Sequence, residues 1–276
     1  MPDIHPTAVV DANAQIADDV VIGPFCVIGP HVKIGRGTIL KSHVVVDNHT
    51  TIGEDNKIYS HCTLGQDPQD LKFHGEPATL IIGDRNEIRE HVSMHIGTEN
   101  GGGSTTVGSE NMLMVGTHVA HDSHIHNRCI LANNVQLAGH ITIHDHAILS
   151  GSAGVHHFVT IGKYAFIGGM SRIVHDCPPF MITDGHPARV RGVNMVGLKR
   201  HEFSEDQLQN LKVGFKRLYH KDVFNQGEAL DQLESEFGND ANVMELCRFA
   251  RLVSMGIHGR QAEAERQDDK YSAPTK

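Results

Sequence analysis

Two short stretches of the chain carry the residue types that transfer chemistry needs. His121 is followed directly by Asp122, and Gly139 directly precedes His140. An imidazole with a carboxylate beside it is a potential general base whose ring is held and whose protonated form is stabilised. A glycine N–H close to it could face a developing oxyanion. The two stretches are separated by 18 residues: Gly139 follows His121 by that number, and His140 follows Asp122 by the same number. Whether they meet depends on what such an offset means in this chain.

The answer lies in a six-residue beat. Aliphatic residues recur at Ile4, Val10, Ile16, Ile22, Ile28 and Ile34 and continue without a miss to Leu64. The beat resumes at Ile82, Ile88 and Met94, then runs from Val107 through Ile125 and Leu137 to Ile173. No helix produces a period of six, and simple strand alternation would place an apolar residue at every second position. Four residues after the aliphatic a small or β-branched residue recurs far more often than chance allows, as at Ala14, Val20, Cys26, Thr117, Ser123 and Ala153. Glycine often follows the aliphatic directly, as in Ile22-Gly23-Pro24 and Ile161-Gly162, which ends each short strand in a turn. This pattern looks like the hexapeptide repeat of left-handed parallel β-helices. Three hexads make one triangular coil, so residues 18 apart are stacked neighbours about 4.8 Å apart. His121-Asp122 therefore lies one coil from Gly139-His140, an acyl-transfer constellation.

Composition agrees with such a fold. Of 276 residues, 39% are hydrophobic and 21% charged, which is globular, while aromatics at 5% and no Trp exclude a core built on large rings. The net charge of -9 argues against general nucleic-acid binding. No apolar run approaches the roughly 20 residues of a membrane span, and Met1 to His5 lack the features of a signal peptide, so a cytoplasmic protein without membrane insertion is expected. The five cysteines form no CxxC pair, and Cys26, Cys62, Cys129 and Cys177 fall in the small-residue slot, where they read as reduced core filler.

Two interruptions break the beat. Between Leu64 and Ile82 the phase is kept, yet Asp70 and Glu76 fall where aliphatics belong, so a loop near 66–78 must leave the prism. Between Met94 and Val107 lies one residue more than two hexads, with Gly97 to Gly103 supplying the slack in a loop near 97–106. Loops on a rigid scaffold are where sites are usually built. Beyond Pro178-Pro179 the period changes. Ser204-Glu205-Asp206-Gln207 reads as a capping box opening a helix with Leu208, Leu211, Phe215 and Leu218 on one face. Further helices are predicted at about 226–237 and 240–256. The expected organisation is a β-helix over 1–189, an α-helical C-terminal domain over 190–258 and a polar, disordered tail over 259–276.

Most of the 22 histidines read as solvated or stacked along the coils. A metal is the alternative for clustered imidazoles. In the carbonic anhydrases of this fold, zinc is held by two His that lie two coils apart and a third that follows five residues on. His121 and His157 have the first spacing, but position 162 is Gly, so no such triplet exists and no metal or other cofactor is expected. Between Arg189 and Lys221, Arg189, Arg191, Lys199, Arg200, Lys212, Lys216, Arg217 and Lys221 face only Glu202, Glu205 and Asp206 among acids, a local basic patch suited to phosphates or an acidic carrier protein.

The stretches Gln69-Asp70-Leu71-Lys72, Gly83-Asp84-Arg85-Asn86, His118-Val119-Ala120-His121-Asp122, Asn127 to Asn134, Leu137-Ala138-Gly139-His140 and Gly197-Leu198-Lys199-Arg200 give the chain a specific likeness. Over nearly its whole length it resembles the UDP-N-acetylglucosamine O-acyltransferases that begin lipid A synthesis in Gram-negative bacteria. The later N-acyltransferase of that pathway carries a domain ahead of its β-helix, whereas here the hexads begin at Ile4, which favours the first enzyme. The resemblance implies transfer of an (R)-3-hydroxyacyl chain from acyl carrier protein to the sugar 3-hydroxyl, with no cofactor or metal, by a homotrimer whose sites lie between subunits. It makes His121 the general base, Asp122 its orienting partner and the Gly139 N–H the oxyanion donor. Substrate contacts would come from Asp70, Lys72, His95, His118, His140, His156 and His157, with Asn194 and Arg200 on the nucleotide and carrier side. Three residues depart from the family pattern: His157 stands for Gln, Val196 for an acid and His201 for a second Arg. They concern the nucleotide-sugar side, where some relatives take a 3-amino sugar and form an amide. Gly169 sits near the position that limits acyl length, which would admit a longer chain unless Met170 fills the space. A CoA-dependent hexapeptide transferase and a metal-binding scaffold are the rival readings.

Overall fold

The short strands of this chain, nearly all two to four residues long, cannot stand alone, and their stability comes from stacking. A computed structural model describes residues 1–219 and 225–256. In it the strands wind into a left-handed parallel β-helix whose three faces are sheets of eleven, nine and eight strands. Ile4 lies beside Ile22, and Ile22 beside Leu40, so the 18-residue offset is the pairing register. The aliphatics from Ile22 onward fill the prism as one continuous buried column, and the small residues Val20, Cys26, Val32 and Val44 close its corners. Ile4, Val10 and Ile16 are less buried because the first coil caps an open end.

Polar residues in the corner slot satisfy one another along the stack. The Asn86 side-chain amide and backbone N–H both donate to Asn56 Oδ1, and the Asn111 N–H donates to Asn86 Oδ1. Burial pushes the thiols of Cys62, Cys129 and Cys177 up to about 12, which keeps them protonated and unreactive. The residue just before most corners has a left-handed backbone, with φ of 60° at His43, 65° at His61 and 60° at His91. Their rings, with Phe25, stack in a column at 4.8 to 5.1 Å, which accounts for many of the histidines.

Both interruptions extrude loops. Leu64 pairs with Met94 and Met94 with Val119, offsets of 30 and 25 in place of 18, so twelve and then seven residues leave the prism. The second break is thus one hexad plus a seven-residue excursion, larger than the single spare residue counted from the spacing. Its centre is a 3-10 turn, Glu99–Gly101.

An antiparallel hairpin, Met181–Gly185 with Ala188–Val193, ends the β-helix and hands the chain to four helices among the described residues. These are α1 (Met195–Arg200), α2 (Glu205–Tyr219), α3 (Gln226–Glu236) and α4 (Ala241–Ser254). The capping box is in place: Ser204 N–H donates to Gln207 Oε1 and Gln207 N–H to Ser204 Oγ. Leu208, Leu211 and Leu218 pack with Leu230, Leu233, Val243 and Leu246 against Phe180 and Met181, which anchors the helices to the last coil. Neither the hairpin, which lies beyond the hexad beat, nor α1, six residues with Gly197 in their midst, carries a periodicity that marks it in the sequence. The expected tail, 259–276, lies outside the described residues, as does Lys221. Among the described residues no helix is long and apolar enough to cross a membrane.

Candidate active site

One coil carries Ala120-His121-Asp122 and the next Ala138-Gly139-His140, and the stack brings them together. Asp122 is the left-handed residue of its corner, with φ 58°, and is 1% exposed. His121 Nδ1 lies 2.7 Å from Asp122 Oδ2. Burial alone would raise the Asp122 carboxyl, but hydrogen bonds from His121 and from the backbone and hydroxyl of Thr98 outweigh it and hold the group below its ordinary range. An ionised Asp122 accepts the Nδ1 proton, which leaves His121 Nε2 with a lone pair for a substrate.

Gly139 sits against this ring. A methyl group there would lie 2.7 Å from His121 Cε1 and 2.9 Å from Nε2, so only glycine permits the approach. Its N–H is spare for a reason built into the fold. Gly139 stands two residues after the aliphatic Leu137, the slot that Pro6, Pro24 and Pro30 occupy after Ile4, Ile22 and Ile28. Proline fits where the ladder uses no donor, and among the described residues no group accepts from the Gly139 N–H. His121 and Gly139 both open onto a cleft of roughly 550 Å³.

The other residues singled out from the sequence fall into three groups. His118, His156 and His157 line the cleft with His121. His118 is bonded through Nδ1 to Ser93 Oγ at 2.8 Å, and burial, then the neighbouring His121, keeps it readily deprotonated. His140 and His95 stand behind the lining: His140 stacks on Phe158 at 4.5 Å with its Nε2 3.9 Å from Asp122 Oδ2, and His95 meets His118 edge-on at 4.8 Å. Asp70 and Lys72 sit on the first extruded loop, paired at 3.8 Å, while Gln69 of the same loop reaches the cleft. Asn194 and Arg200 are not among the groups lining this cleft. The Asn194 side chain caps α1, accepting from Gly197 N–H and donating to the Tyr164 carbonyl. Gln136, Gly154 and Arg172, stacked in register on the same sheet, line the cleft although no chemistry in the sequence marked them. In the basic patch, Lys199 pairs with Glu205 and Arg217 with Glu236.

His121, Asp122 and His140 are the one group among the described residues whose donor atoms approach closely enough to hold a metal, all within 4.8 Å. Both oxygens of Asp122 already accept hydrogen bonds, Oδ1 from Thr98 N–H and Oδ2 from His121 and the Thr98 hydroxyl. That donor set suits an oriented base rather than a coordination shell.

His95 is 5% exposed, and burial, then His118 and His121, push it down to about 4 from the 6.5 of an unfolded chain. A buried neutral base makes the unfolded state the stronger proton binder between these values, so stability rises with pH through this window and falls on acidification. Moving from pH 7 to pH 5 should cost about 2 kcal/mol through His95. Urea midpoints at the two pH values check this: His95→Gln should lose much of the wild-type pH dependence.

Comparisons with known proteins identify the relatives of this chain. The family model for the second domain of UDP-N-acetylglucosamine O-acyltransferase matches residues 176–258, and the bacterial transferase hexapeptide model matches 2–36 and 13–48. A curated acyl-carrier-protein-dependent UDP-N-acetylglucosamine O-acyltransferase of Thermodesulfovibrio yellowstonii is 41% identical over 257 residues, 93% of this chain and 99% of that protein. Among solved structures, LpxA from Acinetobacter baumannii is 43% identical with a TM-score of 0.85, covering 89% of this chain and 96% of that one. The UDP-N-acetylglucosamine O-acyltransferase (LpxA) of Moraxella catarrhalis is 40% identical with a TM-score of 0.86, covering 89% and 95%.

Proposed function

This chain belongs to the UDP-N-acetylglucosamine O-acyltransferase family, and from that premise we propose how its own residues move an acyl chain. The reaction is the first step of lipid A biosynthesis: an (R)-3-hydroxyacyl group passes from acyl carrier protein to the 3-hydroxyl of UDP-N-acetylglucosamine. The observation that carries the reading is the His121–Asp122 pair, its Nδ1 engaged by a buried carboxylate, set against the spare N–H of Gly139 in one cleft.

His121 Nε2 takes the proton of the sugar hydroxyl as its oxygen attacks the thioester carbonyl carbon. The carbonyl oxygen becomes an oxyanion facing the Gly139 N–H. The tetrahedral adduct collapses, the C–S bond breaks, and the carrier thiolate takes the proton back from His121. Asp122 stays ionised throughout and stabilises the imidazolium form, the part a carboxylate plays in a triad.

His118, His156 and His157 line the sugar and phosphate side of the cleft, with Asp70 and Lys72 closing it from the first loop and His95 and His140 supporting from behind. The active assembly is a homotrimer in the cytoplasm. Met112, Ile130, Ile148 and Phe166 form a half-buried outward stripe in cross-strand register, which supports side-by-side packing of copies. Asn194 and Arg200, away from the cleft of their own chain, then serve a neighbouring one, and the basic patch docks the acidic carrier. No cofactor takes part.

Mass spectrometry of the product tests the reading. Purified protein given UDP-N-acetylglucosamine and a panel of (R)-3-hydroxyacyl carrier proteins should yield a base-labile mono-acylated sugar nucleotide, and the preferred panel member reports how Gly169 and Met170 set the chain length. Acylation of the 3-amino analogue alone would show that His157, Val196 and His201 mark a changed acceptor. Turnover with acyl-CoA alone would overturn the carrier assignment.

A further inference from the structure

The glycine-rich excursion after His95 does more than absorb spare residues. It folds back over Asp122. We propose that Thr98, at the head of this loop, is a positioning residue that orients the Asp122 carboxylate and, through it, the His121 ring. This rests on the mechanism proposed above for the same site, and it adds to it the device that holds the base.

Thr98 is 4% exposed and meets the carboxylate twice. Its backbone N–H donates to Asp122 Oδ1 at 2.8 Å, and its hydroxyl to Asp122 Oδ2 at 2.7 Å. The direction of that hydroxyl is not left open, because Thr98 Oγ1 also accepts the Gly101 N–H at 3.1 Å. An ionised Asp122 has no proton to give, so the single hydroxyl proton of Thr98 must point at it. The loop is tied in turn by the Thr98 carbonyl, which accepts from the N–H groups of Gly101 and Gly103 at 3.1 and 2.7 Å. Gly101 passes so close that a Cβ there would collide with the carboxylate, which explains a glycine at that point of the turn. From the opposite side the Asp122 N–H donates to Thr105 Oγ1 at 2.8 Å.

The consequence is directional. Oδ2 is the oxygen that holds His121 Nδ1, and it is also the oxygen that receives the Thr98 hydroxyl. Removing that donor leaves more negative charge on Oδ2, which strengthens its hold on a protonated His121. The other titratable groups facing this pair are His140, with Nε2 3.9 Å from Oδ2, His124, which senses Asp122, and His118 and His95, which sense His121. All are retained in a Thr98 variant.

The test is the pH profile of kcat/KM for Thr98→Val and Thr98→Ser beside the wild type. Thr98→Val keeps the shape and loses the donor, so kcat should fall roughly ten- to a hundredfold. KM for both substrates should stay within about threefold, and the acid limb should move to higher pH. Thr98→Ser should restore both kcat and the limb. A Thr98→Val enzyme with unchanged kcat and limb overturns the proposal, and so does a loss of activity with an unmoved limb that serine fails to rescue. The low-field Nδ1 proton resonance of His121 in Thr98→Ala gives a readout independent of turnover: a shifted line supports the clamp, and an unshifted one overturns it. His121→Gln is assayed alongside. If it keeps full activity, the assignment of the base fails, whereas if it is inactive while Thr98→Val is unaltered, only the clamp fails.

Discussion

His121→Ala should fold, assemble and bind both substrates, yet turn over at least about a thousandfold more slowly than the wild type. The His121 side chain is 12% exposed at the wall of a cleft, so its removal opens no cavity in the prism. What disappears is the acceptor for the proton of an alcohol, whose oxygen at neutral pH is a weak nucleophile. Gly139 would still present its N–H, and residual turnover from binding and oxyanion stabilisation alone is the expected floor. Initial rates at saturating substrate, with circular dichroism and sedimentation on the same preparation, check this. Near-normal turnover would remove His121 from the base role.

Ile125→Asp should have the opposite profile, with no folded protein to assay. Ile125 is 1% exposed, paired with Val107 in one coil and Ile143 in the next, and it belongs to the continuous inward column. A carboxylate there has no partner inside a shell of aliphatics, and burying it costs several kcal/mol even after it neutralises itself by taking a proton. In a fold where each coil touches only its neighbours, the defect interrupts stacking in both directions. A net stability of about 5 to 15 kcal/mol leaves little to absorb such a loss. Ile125→Val, which removes one methylene, should cost only about 1 kcal/mol. Soluble expression and thermal melts of the two variants decide it: an Ile125→Asp protein melting like the wild type would contradict the account of the core.

These contrasting outcomes reflect what periodicity can and cannot encode. The beat at six made the core legible, because every turn of the prism repeats one steric demand: an aliphatic inside and a small residue at the corner. The offset of 18 likewise sets His121 against Gly139, since stacking turns sequence distance into contact. The same arithmetic was blind wherever the chain leaves the coil. Thr98 and Asp122 are 24 residues apart, not one coil, and their contact exists because a loop folds back. His95 follows the inward Met94 and by alternation should face solvent. It is buried instead, because the register shifts between Leu64 and Gln66 and pairs Gln66 with His95 beneath the first excursion. The local role of Asn194 was equally hidden: its amide caps α1 and donates to the Tyr164 carbonyl, contacts that no spacing announces.

The loop contacts also explain how a rigid scaffold tunes one group. The β-helix supplies the column that sets His121 over Gly139, and the excursion adds to the His121 bond the Thr98 donors that help keep Asp122 ionised inside it. Base and carboxylate should therefore act as one unit, and a double-mutant cycle measures that unity directly. In kcat, His121→Ala, Asp122→Asn and the double variant should show strong non-additivity, with the double variant no slower than His121→Ala within about threefold. If instead the two losses multiply, Asp122 works independently of His121, and the mechanism built on their 2.7 Å contact is wrong.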